Sequence, residues 1–434
     1  MRVAGIRMLM AAASAALLGT AAHAQAFNWQ AHKGQTIDFL TENHPWSNKV
    51  VADLPAFEKL TGIKVRVDTF QEQQMRQRLV TMLQSKSAGV DVFMSLKSLE
   101  GRLYAKAGWY ADLKPLMDAP GATSPSYDFP DFSKALVAGE TFGGHLDGIP
   151  LNIEGPIVYY RKDVFAKCGL QPPRTLDDLM AAAATLKKCE PSMIPWTTRG
   201  LKAALPYTFS NVLHNFGTDY FSARGKPDLC SPAGQKAISW YAGMLRQYGP
   251  PGAVNDSFLQ ISQLYGQGRA AMAFESSNEF GDIMKFKARQ KDTGVMLLPP
   301  GPGGSKPTVI GWGLSISAFS KHRAATWLFV QWATTKAMQE KLALLGIAPP
   351  RASVADSAAY KAWLQAVPVR QQWAQLLNDM GKTGTSEVGP PLLRQPQARE
   401  IIGDAVDKVL LGQAKVQKAA CAADKQLAAM MASR

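Results

Sequence analysis

The stretch from residue 36 to residue 107 changes hydrophobic period again and again, and that switching restricts the fold more than any other feature. "TIDFLT" (36–41) is short and β-rich. "NKVVADLPAFEKLTG" follows with Val50, Val51, Leu54, Phe57 and Leu60 at helical spacing, and "IKVRVD" alternates like a strand. "EQQMRQRLVTMLQSK" is helical, "DVFMS" is a strand and "SLEGRLYAKAG" is helical again. Strand and helix in alternation predict an open, mostly parallel sheet covered on both faces, an α/β fold. Pro55 should kink the first helix or start its second half, and Gly62 should end it.

In such sheets ligands bind beyond the carboxyl ends of the strands. Two loops leave those ends. "TENHPW" carries Glu42, Asn43, His44 and Trp46, and "SLKS" carries Ser95 and Lys97. These are candidate ligand contacts. An exposed Trp usually has a partner, which favours Trp46; for His44 a structural hydrogen bond competes.

The pattern restarts in "GIPLNIEGPIVYYRKDVF" (148–165), where Glu154 interrupts an otherwise apolar run. Burying an unpaired charge is expensive, so this carboxylate needs a use. It either faces a ligand or forms a structural salt bridge. Thr175 and Asp178 form a variant capping box opening a helix over 175–189. Helices are also expected at 231–248 and around 257–267. "GQGRAAMAFESSNEF" resembles a dinucleotide fingerprint, but a helix precedes its glycines and a strand follows, the reverse of what that motif requires. The strand "AAMAF" should instead deliver Glu275, Ser277 and Asn278 into a cleft. Trp312 stands between two glycines that let the backbone come close. The tail is helical and divided near Gly412.

Residues 1–24 read as a secretory signal peptide: Arg2 and Arg7, a short apolar stretch, then Ala22-His23-Ala24. No cysteine follows the apolar stretch, so a lipid anchor is not expected. Export to the periplasm of a two-membrane bacterium is. The formal net charge of +14 falls to +12 without Arg2 and Arg7. No dense basic run with interleaved aromatics points to nucleic acid. Four cysteines in an exported chain suggest disulfides. Cys168 and Cys189 lie at opposite ends of a helix of roughly 21 Å, so their pairing needs a fold-back, and the connectivity stays open.

No zinc spacing, nucleophile elbow, P-loop or calcium loop is present. No catalytic residue, metal or cofactor is expected. A carboxylate pair for glycoside hydrolysis needs no sequence proximity, so a secreted carbohydrate-active enzyme is the alternative of another class. Tyr159-Tyr160 raises a ferric-ion binder, but neighbouring strand residues point to opposite faces. Polar and aromatic residues at strand ends suit sugars and polyols, whose hydroxyls both donate and accept.

The order of segments resembles the family 1 extracellular solute-binding proteins of ABC importers, the carbohydrate-binding group. The likeness rests on "IPLNIEGPIVYYRKDVFAKCGLQPPRTLDDLMAAAATLKK", then "GRAAMAF", "GWGLSIS" and "APPRASV", in order. It covers nearly the whole chain after the signal peptide; Arg161, where Asn is commoner, and the four cysteines depart from it. The resemblance implies a two-lobed, type II-like periplasmic binding protein, each lobe an open, mostly parallel sheet flanked by helices, joined by a hinge. Lobe I is expected over 25–152 plus 313–348 and lobe II over 153–312 plus 349–434, with crossings near 150–155, 309–313 and 347–352. It implies a monomer that captures a sugar, oligosaccharide or polyol by hinge closure and delivers it to permease subunits in the inner membrane. Trp46 and Trp312 are expected to stack on ligand. Glu42, Glu154, Glu275 and Asn278 are expected to hydrogen-bond it, and Lys97 and Arg351 to read an acidic substituent.

Overall fold

The computed structural model describes residues 26–386 and 388–432; the expected signal peptide over 1–24 lies outside them. The first half opens with β1 (Thr36–Glu42), α1 (Pro45–Thr61), β2 (Lys64–Phe70), α2 (Glu72–Gln84) and β3 (Val92–Ser95). Helix α1 keeps Pro55 inside it and ends at Gly62, whose φ of 70° reverses the chain. One face of α1, with Trp46, Val50, Leu54 and Phe57, is buried. After a stretch of short helices comes β4 (Ile149–Pro150).

The second half contains β5 (Pro156–Arg161), α3 (Lys162–Lys167), α4 (Leu176–Cys189), β6 (Thr197–Thr198) and α5 (Pro206–Asn215). It continues through α6 (Pro232–Tyr248), α7 (Phe258–Gly266), β7 (Met272–Ser276) and β8 (Thr293–Met296). The chain then returns to the first half as β9 (Gly313–Ile316) and α8 (Arg323–Ala333). Three long helices follow: α9 (Pro368–Thr383), α10 (Gln395–Leu410) and α11 (Val416–Ala432). The Thr175 hydroxyl accepts from Asp178 N at 3.1 Å and so caps α4. The Asp178 carboxylate bonds Arg174 N rather than Thr175 N, so the box is incomplete.

Among the described residues two large sheets result, with orders β2-β1-β3-β9-β4 and β8-β5-β7-β6, beside a two-stranded hairpin of residues 141–142 and 145–146. Both are mixed. β1 pairs in parallel with β2 and β3, as the alternating pattern requires, but β9 runs antiparallel to β3 and β4. In the second sheet only β6–β7 is parallel. Strands that enter from a crossing approach their sheet from the opposite end to those fed by local helices, which accounts for the mixture.

One hydrophobic core is built from residues 37–151 and 310–347, with Tyr207 and Val388 joining it. Two further cores are built from residues from Ile157 onward, one around α4, α6, α10 and α11 and one around α7 and α9. Three connecting segments run side by side between the halves. Leu151 N donates to Trp312 O, Glu154 and Ile310 exchange backbone hydrogen bonds, and Ile153 N donates to Ala348 O.

Both cysteine pairs are bridged. Cys168–Cys189 has a Cα–Cα distance of 5.9 Å. Gly169, at φ 67°, turns the chain back, and residues 169–175 in extended form reach roughly 23 Å. That matches the helix they precede, so the fold-back brings the two ends together. Cys230–Cys421 joins the approach to α6 with α11. Among the described residues no helix is long and apolar enough to cross a membrane.

Candidate ligand-binding site

Where the halves meet, Glu42, His44, Glu72, Leu96, Glu154, Arg199, Tyr207, Phe258, Ser276, Glu279 and Trp312 line a cavity whose empty space is at most about 330 Å³. The ends of β1, β6 and β7 and the start of α2 all point at it, as the strand-end rule requires.

Glu154 sits on the first crossing. Its Oε2 accepts from Ser276 Oγ at 3.1 Å and Asn152 Nδ2 at 3.3 Å, and its Oε1 from Trp312 Nε1 at 3.3 Å. All these donors are neutral, and no lysine or arginine among the described residues forms an ion pair with it. Burial pushes its pKa up to about 7, against the pull of Arg199 and the two hydrogen bonds from Ser276 and Trp312. The structural salt bridge weighed as an alternative is not formed.

The arginines are matched elsewhere. Arg199 donates to both oxygens of Glu275, with Nη2 to Oε1 at 2.5 Å, and lies 4.1 Å over the Tyr207 ring. Arg76 bridges Glu72, at 3.0 Å, and Glu100, and stands 4.9 Å over the Trp312 ring. Burial would raise the Glu72 carboxyl, but Arg76 and then Arg199 outweigh it and hold it low. Burial, with Glu72 beside it, raises Glu42 well above the carboxylate range despite Arg76. Burial raises Glu279 in the same way, with Glu275 adding to it.

His44 caps α1. Its Nδ1 accepts from Trp46 N at 3.1 Å, and Nε2 lies 2.9 Å from the Asn278 carboxamide. Burial lowers its pKa to about 3, so the ring is neutral. The Tyr207 hydroxyl has no hydrogen-bond partner of good geometry, although Ser276 lies beside it.

Of the residues expected from sequence, Glu42, His44, Glu154 and Trp312 line the cavity. Asn278 stands behind His44, and Glu275 behind Arg199. The others are held apart from it. Trp46 is fully buried with its ring edge-on to Phe39, because it sits on the apolar face of α1. It cannot stack on a ligand there. Ser95 bonds the Tyr110 hydroxyl at 2.6 Å. Lys97 pairs with Glu140 at 3.0 Å and Ser315 Oγ at 2.6 Å. It borders a separate groove with Gly311 and Gly384, so it does not read an acidic substituent in this cavity. Arg351 donates to the carbonyls of Tyr127, Asp128 and Thr334 and pairs with Asp131, a buried knot that fixes the chain near the third crossing. The Ser277 hydroxyl accepts from Gly155 N, and Asn43 accepts from Asn48. Tyr159 bonds Ser276 O while Tyr160 packs on Phe165, so the tyrosine pair diverges and offers no joint metal site.

The family model for bacterial extracellular solute-binding proteins matches residues 40–340, well over half of the chain. The chain belongs to this family. Among relatives of this solute-binding protein, the mannitol-binding protein of Pseudomonas aeruginosa is 27% identical over 396 residues, covering 86% of this chain and 88% of its own length. The erythritol/L-threitol-binding protein of Mycolicibacterium smegmatis is 27% identical over 356 residues, 76% of this chain and 73% of its own. A solved ABC transporter solute-binding protein from Agrobacterium vitis S4, with bound D-mannitol, superposes with a TM-score of 0.81 at 24% identity, over 92% of this chain and 99% of that one. Members of the family are binding proteins, and the two-lobed α/β fold is theirs.

Sequence reasoning missed several lining residues of this solute-binding protein: Glu72, Leu96, Arg199, Tyr207, Phe258, Ser276 and Glu279. Glu72 had a signal. It opens the loop-to-helix turn at the end of β2, a third strand end beside the two already flagged. Arg199 follows a strand of only two residues, too short to register as a period, and Tyr207 and Phe258 sit in largely buried helices, where no local pattern separates a cavity wall from core.

Proposed function

We propose that this protein captures a small polyhydroxylated solute, an acyclic polyol or a monosaccharide, between two lobes and presents it to an ABC importer permease. The observation that carries the reading is Glu154. It is a buried carboxyl at the crossing between lobes, held by neutral donors from both sides and open to a cavity of polar and aromatic residues. A carboxyl in that position accepts two hydroxyl hydrogens from a polyol. Its placement beside Trp312, which lies on the second crossing, couples ligand contact to the hinge.

We take lobe I as residues 25–152 plus 313–348 and lobe II as 153–312 plus 349–434, the protein acting as a monomer exported to the periplasm without a lipid anchor. Closure is favoured only to the extent that the solute binds the closed form better. Ligand contacts from Glu42 and His44 on one side and Arg199, Tyr207 and Glu279 on the other supply that difference, because both sets meet the solute only when the lobes are together. The small cavity disfavours long oligosaccharides. The named ligands of the polyol-binding relatives support the same class.

A thermal-shift screen of four- to six-carbon polyols, monosaccharides and maltose-type oligosaccharides tests this. A true ligand at about 100 times its Kd adds roughly 2.7 kcal/mol. A polyol or monosaccharide should raise the melting temperature. A response confined to oligosaccharides, or turnover of any of these compounds, sinks the reading.

A further inference from the structure

The cavity is acidic in a chain whose formal net charge is +14. Arg199 is committed to Glu275, and Arg76 to Glu72 and Glu100. Among the described residues no lysine or arginine pairs with Glu42, Glu154 or Glu279. Glu42 is 1% exposed and Glu279 2% exposed, and both line the cavity. The Oε2 atom of each is buried without a hydrogen-bond partner. Glu154 is near enough to raise the pKa of both and accepts only from neutral groups. His44 is neutral, so it adds no positive charge. The walls therefore carry three carboxyl groups with no cation paired to them, and the guanidinium groups that could have met an anion are already taken.

Buried acceptors without donors cost free energy until a ligand supplies them. A polyol hydroxyl brings one donor and two acceptors, whereas an ammonium brings three donors, no acceptor and a charge of the missing sign.

We infer that the preferred solute carries a protonated amine on its polyol or sugar frame, the ammonium held among Glu42, Glu154 and Glu279. This rests on the polyol reading above and narrows it. An aldonate or a phosphate ester would add a negative charge where no free cation awaits it. Binding of an ammonium favours the ionised form of these carboxyls, against the burial that favours their neutral form. A carboxyl hydrogen displaced in this way leaves to solvent as the ammonium–carboxylate pair forms, so charge and protons balance. Burial of these carboxyls, which favours their neutral form, makes that release measurable.

The test is calorimetric titration of the full chain, at pH 7, with three compounds sharing one carbon frame: D-glucitol, 1-amino-1-deoxy-D-glucitol and D-gluconate. The same trio built on four- and five-carbon frames removes dependence on ligand length. On a frame that binds, the amine should bind at least tenfold tighter than the neutral polyol, and the acid at least tenfold weaker. The heat of amine binding should vary with the ionisation enthalpy of the buffer, reporting proton release. E279Q and E42Q should each shrink the amine's advantage, with melting temperatures showing that the variants fold. A neutral polyol that equals or exceeds its amine in the wild-type protein overturns the inference and leaves the polyol reading intact. Binding of the acid alone overturns it too. Silence from every frame overturns both.

Discussion

The indole Nε1 of Trp312 donates to Glu154 Oε1 at 3.3 Å, tying the second crossing between the halves to the first. The Trp312 amide donates to Asn152 Oδ1 at 2.9 Å and its carbonyl accepts from Leu151 N, so the same residue grips the first crossing three times. The proposed ligand contact and the junction of the two crossings thus share one pair of side chains.

E154Q should therefore weaken binding of the best small polyol or amino-polyol by tenfold or more. It should change the unfolding free energy of the ligand-free protein by no more than about 1 kcal/mol near neutral pH, since its partners are neutral donors. Urea unfolding and calorimetry on the same sample separate the two effects. A stability loss of several kcal/mol with affinity intact would assign Glu154 a purely structural role.

The same carboxyl gives a pH signature. Its pKa is near 4.5 when unfolded and about 7 when folded, so the folded chain holds the extra proton between those values. Stability relative to E154Q should be greatest below about pH 4.5, fall as pH rises and level off above about pH 7. Melting temperatures of both proteins from pH 4 to pH 8 test the sign. A difference that grows with pH contradicts it.

R199M should cost about 3–5 kcal/mol, because it leaves Glu275 buried without its cation. Pairing it with E275L should recover much of the loss. A double variant as unstable as the sum of the singles would show that packing, rather than the stranded charge, dominates.

Gly155 follows Glu154 on the crossing, and a Cβ there would stand 2.1 Å from both Thr308 O and Met380 Cε. G155A should destabilise by about 1–3 kcal/mol through forced separation of the crossings, and should also lower ligand affinity. A neutral G155A would mean the segments part easily.

The two disulfides should differ in worth. On the chain-entropy account, Cys168–Cys189, separated by 21 residues, contributes about 3 kcal/mol. Cys230–Cys421, separated by 191 residues, contributes about 5 kcal/mol. Replacing each pair by alanine and measuring urea midpoints should preserve that order.

Much of the fold could be read in the sequence because its signals are periodic and local. The β1–α1–β2–α2–β3 alternation, the cap at Thr175 and the reversed glycine motif before β7 all lie where the pattern puts them. The mixed sheets could not be read, since strand direction at a crossing depends on distant chain. Half of the candidate site suffered likewise. Trp46 looked like a loop residue until α1 turned it inward. Arg351 looked like a ligand cation until three backbone carbonyls claimed it. Arg199 was invisible because a buried arginine is recognised only through the carboxylate opposite, here 76 positions along the chain.

The placement of β9 between β3 and β4 has a consequence for biogenesis. The strand that fills the fourth of five places in the first sheet is made only after the ribosome has passed through the strands of the second. Until then β3 presents an unpaired edge, the kind of surface that recruits other chains. The two halves therefore cannot mature one after the other in order of synthesis. A fragment stopping at residue 152 should aggregate, and holding the unfinished chain extended would protect it.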